Sequence, residues 1–228
     1  ALKASRKYAY TKKSGRFEWI AMEESFHGRG FGSVSVTGHK AYQEPFEPLV
    51  PGVKFAKLND LDSVKALVTD RTCAIIVEPV QGEGGINVAT EEFMKGIRKI
   101  CDENDILMIC DEVQCGMGRT GSFFAWQEYG VRPDIMTMAK AIGSGFPVGA
   151  FAMTEKVAEY SLAPGDHGTT YGGGPLACAA VAKTVEIFEE KHIPEHVKEI
   201  GAYLKKQLEE LAKKHDCILA CKGKGLMQ

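Results

Sequence analysis

Short apolar runs broken by glycine, proline or acidic residues recur along this chain, separated by stretches with an apolar residue every three or four positions. The runs Phe17–Ala21, Thr72–Glu78, Ile106–Cys110, Asp134–Ala139 and Phe146–Met153 are bounded by turn signals. Short apolar runs of that kind predict buried strands. Thr90–Asn104 places Phe93, Ile97, Ile100 and Cys101 on one helical face. Thr90 is a good N-cap, and Glu91 and Glu92 suit the first turn of a helix. Helical spacing also covers Ala1–Tyr10, Asp60–Val68, Ser122–Tyr129, Leu176–Glu190 and Pro194–Lys214. In Leu176–Glu190 the spacing turns Cys178, Val181, Val185 and Phe188 inward. Ala41–Val53 mixes prolines and glycine with aromatics and reads as an irregular loop, and Cys217–Cys221 reads as a last short strand. Strands alternating with helices predict an α/β fold with a mostly parallel central sheet flanked by helices. Beyond Glu189 the chain becomes rich in lysine and glutamate and poor in glycine. That shift predicts a large domain over residues 1–188 and the beginning of a smaller C-terminal domain over 189–228.

The densest chemistry lies in Ile106–Lys140. One apolar run ends in Asp111-Glu112-Val113-Gln114, and a second ends at Ala139 and delivers Lys140. In open α/β sheets, ligands bind outside the carboxyl ends of the strands. A carboxylate and an amine are thus expected at the ligand-binding edge.

Composition narrows the partners. The chain has 228 residues, 44% of them hydrophobic, and a net charge of −2. This balance is ordinary for a globular protein and gives no electrostatic footprint for nucleic acid or for an anionic membrane. No apolar run reaches the roughly 20 residues of a membrane helix. The seven cysteines have no CxxC pair and several lie within apolar runs, which predicts reduced thiols of a cytoplasmic protein.

Three chemistries compete for the acid and the lysine. Gly116-x-Gly118-x-x-Gly121 matches a dinucleotide fingerprint, but Asp111 and Glu112 would set negative charge where a pyrophosphate must lie. A hard cation could use Asp111, Glu112, Glu78 or Glu83, but adjacent strand residues point to opposite faces. The six histidines form no zinc spacing, so no metal is expected. A lysine amine near a carboxylate suits imine chemistry on pyridoxal phosphate, whose ring nitrogen must stay protonated. Against this stand a solvated surface lysine and a strand-end turn aspartate. The small and apolar neighbours of Lys140 favour the imine reading.

Five motifs carry a resemblance: Ser-Phe-His-Gly-Arg at 25–29, Glu-Pro-Val-Gln-Gly-Glu-Gly-Gly at 78–85, Asp-Glu-Val-Gln-Cys-Gly-Met-Gly-Arg-Thr-Gly at 111–121, Ala-Lys-Ala-Ile-Gly-Ser-Gly-Phe-Pro at 139–147 and His-Gly-Thr-Thr-Tyr-Gly-Gly at 167–173. Through them the whole chain resembles the class III pyridoxal-phosphate aminotransferases. The resemblance implies the large domain of a type I pyridoxal-phosphate fold. It implies that Lys140 bonds the cofactor and shuttles a proton, and that Asp111 pairs with the pyridinium nitrogen. Gln114 would bond the ring hydroxyl, Phe26 and Val113 would sandwich the ring, and Thr170 would reach the phosphate of a neighbouring subunit. Arg29 would bind a substrate carboxylate, and Glu83 would pair with a distant arginine and swing aside for glutamate. The implied partners are amino-acid and 2-oxo-acid substrates and a second copy of the chain in a homodimer. The implied reaction moves the ω-amino group of N-acetylornithine to 2-oxoglutarate. Ornithine, succinylornithine and 4-aminobutyrate are alternative donors, and a non-catalytic role is the remaining alternative. Gly30 and Gly174 depart from the threonine and asparagine usual at those positions. The family's phosphate loop and substrate arginine lie outside the stretch matched, so the chain reads as an internal segment.

Overall fold

Successive side chains of a strand point to opposite faces, so the continuous apolar runs of the central strands are buried on both, and each face carries its own helices. A computed structural model describes residues 1–228. The strands are β1 (Glu18–Met22), β2 (Val53–Ala56), β3 (Thr72–Val77), β4 (Val80–Gln81), β5 (Asn87–Val88), β6 (Leu107–Asp111), β7 (Ile135–Met138) and β8 (Ala150–Met153). The helices are α1 (Leu2–Thr11), α2 (Phe31–Ser35), α3 (Lys40–Gln43), α4 (Leu61–Leu67), α5 (Glu91–Asn104), α6 (Glu155–Tyr160), α7 (Pro175–Glu190) and α8 (Ile193–Ala212). Six strands form one sheet in the order β2-β1-β3-β6-β7-β8. The first five run parallel and β8 is antiparallel to β7. Parallel pairing brings the C-terminal ends of β1, β3, β6 and β7 to one edge, which is where an α/β sheet binds its ligands.

On one face Ile20, Met22, Ile75, Val77, Met108 and Cys110 pack against Phe93, Met94, Ile97 and Ile100 of α5. On the other, Trp19, Ala21, Ala74, Ile76, Leu107 and Ile109 pack against Ala4, Tyr8 and Ala9 of α1. The alternation continues past the strands. Glu78 follows Ala74 and Ile76 onto the α1 face, and Asp111 follows Leu107 and Ile109 onto the same face. Period two therefore aims two carboxylates into one space and sends Glu112 to the opposite side. The N-terminus of α5 is capped as its sequence implies, with the Thr90 side chain accepting from the Phe93 N–H at 3.1 Å.

Several expectations need correction. Cys217–Cys221 is not a strand, and Leu219 within it is almost fully exposed. The run finds no sheet neighbour to take its backbone hydrogen bonds. Only Ala150–Met153 of the predicted Phe146–Met153 strand joins the sheet, because the backbone turns after Gly143 and Ser144 adopts φ of +47°. Within Ser122–Tyr129 only Ala125–Tyr129 is helical, as a 3-10 turn. The predicted inward face of α7 is also displaced. Thr184 is its one fully buried residue and Cys178 is exposed. That helix is apolar around most of its circumference, so spacing alone could not define a single inward stripe. Four cysteines, at 73, 101, 110 and 115, are buried and all seven are free thiols.

Candidate active site

Asp111 ends β6 and is 7% exposed. Its Oδ2 lies 2.7 Å from His27 Nδ1, and its Oδ1 accepts the Val113 N–H at 3.1 Å. Burial alone would raise this carboxyl. The His27 hydrogen bond and charge, with the Val113 N–H and Thr137, outweigh it and hold Asp111 below the ordinary carboxylate range. For His27, burial opposes the charge while Asp111 and Glu78 favour it, and the net shift is upward. The two shifts agree in sense: across the 2.7 Å contact each partner favours the charged form of the other.

Glu78 completes this cluster. Burial pushes it up to about 7, and the positive His27 and the Phe26 N–H only partly offset that rise. Its Oε2 accepts the Phe26 N–H at 2.9 Å and so ties the Ser25–Gly30 loop to the end of β3. Glu112, on the opposite face, accepts the Ala125 N–H at 2.9 Å and the Trp126 N–H at 2.8 Å. Burial pushes this carboxyl up to about 7 as well, against those two donors. It anchors the turn that carries Gly116, Gly118 and Gly121 back to the sheet, which is a structural use of the stretch that resembles a nucleotide loop.

The residues singled out in the sequence fall into three groups. Asp111 and Val113 line one cavity of about 330 Å³ together with His27, Thr137 and His167. Lys140 stands two residues beyond β7, opens a 3-10 turn with φ of +50°, and donates to Gln114 Oε1. It lines a second cavity of about 750 Å³ beside Arg119, Phe146 and His196. Lys140 is exposed here, contrary to the expectation drawn from its small and apolar neighbours. The strand end carries it past the sheet edge, and the neighbours cover the backbone rather than the amine. Gln114 is itself confined, because a side chain at Gly82 would overlap its amide. The β4–β5 turn carrying Glu83 thus lies directly against Gln114, although Glu83 itself is exposed.

Phe26 and Arg29 form the third group. The Arg29 guanidinium lies 5.3 Å from the centre of the Phe26 ring and 4.0 Å from that of Tyr42. Thr170 sits on an exposed loop away from these groups. His167, three residues earlier, does reach the Asp111 cavity and lies 3.3 Å from Lys3 Nζ. His27 and Tyr42 are functional candidates that sequence reasoning passed over. His27 was visible beside Phe26, but only folding brings it across the sheet to Asp111. Tyr42 lies in a stretch read as irregular loop.

The sequence profile described as aminotransferase class-III matches residues 1–228. The chain belongs to the class-III aminotransferases. This class-III chain is 48% identical over 227 residues to the acetylornithine aminotransferase of Aquifex aeolicus (strain VF5), covering 100% of the chain and 58% of that protein. It is 50% identical over 228 residues to the acetylornithine aminotransferase of Clostridium acetobutylicum, covering 99% of the chain and 59% of that protein. Among solved structures, the ornithine aminotransferase of Toxoplasma gondii ME49 superposes with a TM-score of 0.93 at 31% identity, covering 99% of this chain and 55% of that one. A PLP-bound amine transaminase from an uncultivated Pseudomonas species gives 0.91 at 30% identity, covering 98% of this chain and 57% of that one. The chain therefore spans a little over half the length of the relatives it matches. The same comparisons identify its mostly parallel sheet flanked by helices as the fold of pyridoxal-phosphate transaminases.

Proposed function

We propose that this chain supplies the cofactor-binding large domain of an aminotransferase that moves the ω-amino group of N-acetylornithine to 2-oxoglutarate. The observation that carries this reading is the buried Asp111–His27 pair at the end of β6, in a sequence 48–50% identical to acetylornithine aminotransferases.

The residues present suit pyridoxal phosphate. A carboxylate kept ionised in a buried cavity is the partner a protonated pyridine nitrogen needs, and the His27 Nε2 buried there has no partner of its own. When bound, the cofactor supplies an aldehyde that captures amines and a ring that draws electrons from the adjoining carbon. Lys140 would hold the aldehyde carbon, Asp111 the ring nitrogen and Gln114 the ring hydroxyl. Phe26 and Val113 would hold the ring faces, and Thr170 of a second copy the phosphate. Asp111, held in its ionised form by His27, would favour a protonated ring nitrogen. The free Lys140 amine would be the base that takes a proton from the substrate carbon bearing the amine. Gln114 Oε1, its present partner, orients that amine. Arg29 would bind a substrate carboxylate through its fork of N–H donors, and Glu83, exposed on the β4–β5 turn, would take part in substrate binding.

The same reading takes the active unit to be a homodimer working in the cytoplasm. No helix is long and apolar enough to cross a membrane. We place the domain boundary at 188/189, within the last turn of α7 and ahead of the charged α8.

A donor panel tests the substrate. With 2-oxoglutarate as acceptor, glutamate formation should be fastest with N-acetylornithine and slower with ornithine, succinylornithine or 4-aminobutyrate. A preference for any other donor reassigns the substrate. No turnover with any donor, together with no binding of pyridoxal phosphate, would leave the chain a non-catalytic folded domain.

A further inference from the structure

Arg29 stands on a loop between Gly28, whose φ is +123°, and Gly30. A long side chain on so permissive a backbone samples many rotamers, and fixing it when a ligand arrives costs free energy. Its guanidinium is nevertheless packed on aromatic rings, with the Tyr42 centre at 4.0 Å and the Phe26 centre at 5.3 Å. The N–H donors of a guanidinium radiate in its plane, whereas an aromatic ring takes up its face. Packing on Tyr42 therefore orients Arg29 without using the donors a carboxylate would need.

Tyr42 is itself held. Its ring meets Phe26 edge-on, with centres 6.1 Å apart and planes at 86°. On the other side the His39 ring lies at 5.2 Å, and His39 Nδ1 lies 3.5 Å from Glu24 Oε2. α3 is a single four-residue turn, too short to be stable alone, so these contacts set where Tyr42 sits. The contacts with Phe26, His39 and Arg29 are all made by the ring of Tyr42.

We propose that Tyr42 is the positioning residue for substrate carboxylate recognition, its ring face holding Arg29 ready while leaving the guanidinium donors free. The inference rests on the reading of Arg29 as the carboxylate-binding residue. Tyr42 lines a cavity separate from those of Asp111 and Lys140, so it acts on affinity and leaves the chemical step alone. The ring carries the role and the hydroxyl does not.

The test uses glutarate, a dicarboxylate with no group to transfer, titrated calorimetrically into the protein loaded with pyridoxal phosphate. The parent is compared with Tyr42→Leu, Tyr42→Phe and Arg29→Ala. Tyr42→Leu should weaken glutarate binding about five- to tenfold and raise KM for 2-oxoglutarate by a similar factor, with kcat changed less than about twofold. Tyr42→Phe should bind within about twofold of the parent, because a phenyl face offers the same attraction. Parent-like binding by Tyr42→Leu, while Arg29→Ala loses glutarate, overturns the role of Tyr42 and leaves Arg29 in place. Tyr42→Phe no better than Tyr42→Leu, or a fall in kcat at constant KM, overturns it also. Parent-like binding by Arg29→Ala removes the carboxylate reading and this proposal with it.

Discussion

Replacing His27 with alanine tests the electrostatic centre of the site. The His27 and Asp111 side chains are 2% and 9% exposed and meet at 2.7 Å. Removing one member of a buried pair leaves the other charge without compensation, at a cost of about 3–5 kcal/mol. The Val113 N–H remains on Asp111 at 3.1 Å, so the lower end, about 3 kcal/mol, is expected for His27→Ala. The assay is urea unfolding followed by circular dichroism at pH 6 for the parent, His27→Ala, Asp111→Asn and the double variant. The double variant should lose about 1–3 kcal/mol less than the sum of the singles. The pH dependence follows from the two shifts. The raised His27 contributes fully below its ordinary value of 6.5, and that part is lost as pH rises through the folded value. The lowered Asp111 contributes fully above its ordinary value of 3.8, and that part is lost as pH falls through the folded value. The coupling should therefore peak between those two ordinary values and fade on either side. A cost for His27→Ala below about 1 kcal/mol, or singles that add within about 0.5 kcal/mol, would refute the pairing.

Three further outcomes follow from local geometry. Glu112 is raised to about 7 in the folded chain against an ordinary 4.5, so the stability associated with its proton is lost as pH rises through about 7; thermal scans from pH 5 to 8 should show a falling melting temperature, less steep in Glu112→Gln. A methyl group at Gly82 would overlap the Gln114 amide, so Gly82→Ala should weaken pyridoxal-phosphate binding, read by fluorescence titration, more than it lowers the melting temperature. Thr90→Ala removes the side-chain cap of α5 and should cost about 1 kcal/mol in urea unfolding.

The strand ends and the capped α5 were legible because short continuous apolar runs and period 3.6 are strong signals in buried segments. The placement of Asp111 and Lys140 at the ends of two strands was legible for the same reason, since each follows an apolar run that enters the sheet. β2 was missed because Val53-Lys-Phe-Ala is four residues long, sits on the sheet edge and directly follows a proline-rich loop. The Cys217–Cys221 run failed in the opposite way. Its composition suits a strand, but a strand also needs a neighbour. The partnership of His27, Glu78 and Asp111 was not legible from spacing, because Glu78 lies 52 positions from Phe26 and Asp111 lies 84 from His27. Only the parallel register of β1, β3 and β6 brings their ends together. The exposure of Lys140 was hidden too, since its neighbours in sequence are not its neighbours in space.

The central claim is that Lys140 is the amine that bonds pyridoxal phosphate. Its most direct test is to add pyridoxal phosphate, reduce with borohydride, digest, and locate the pyridoxyl mass by peptide mass spectrometry. The account predicts that the label sits on Lys140 and disappears in Lys140→Ala. A label concentrated on another lysine, or one that survives Lys140→Ala undiminished, would contradict it.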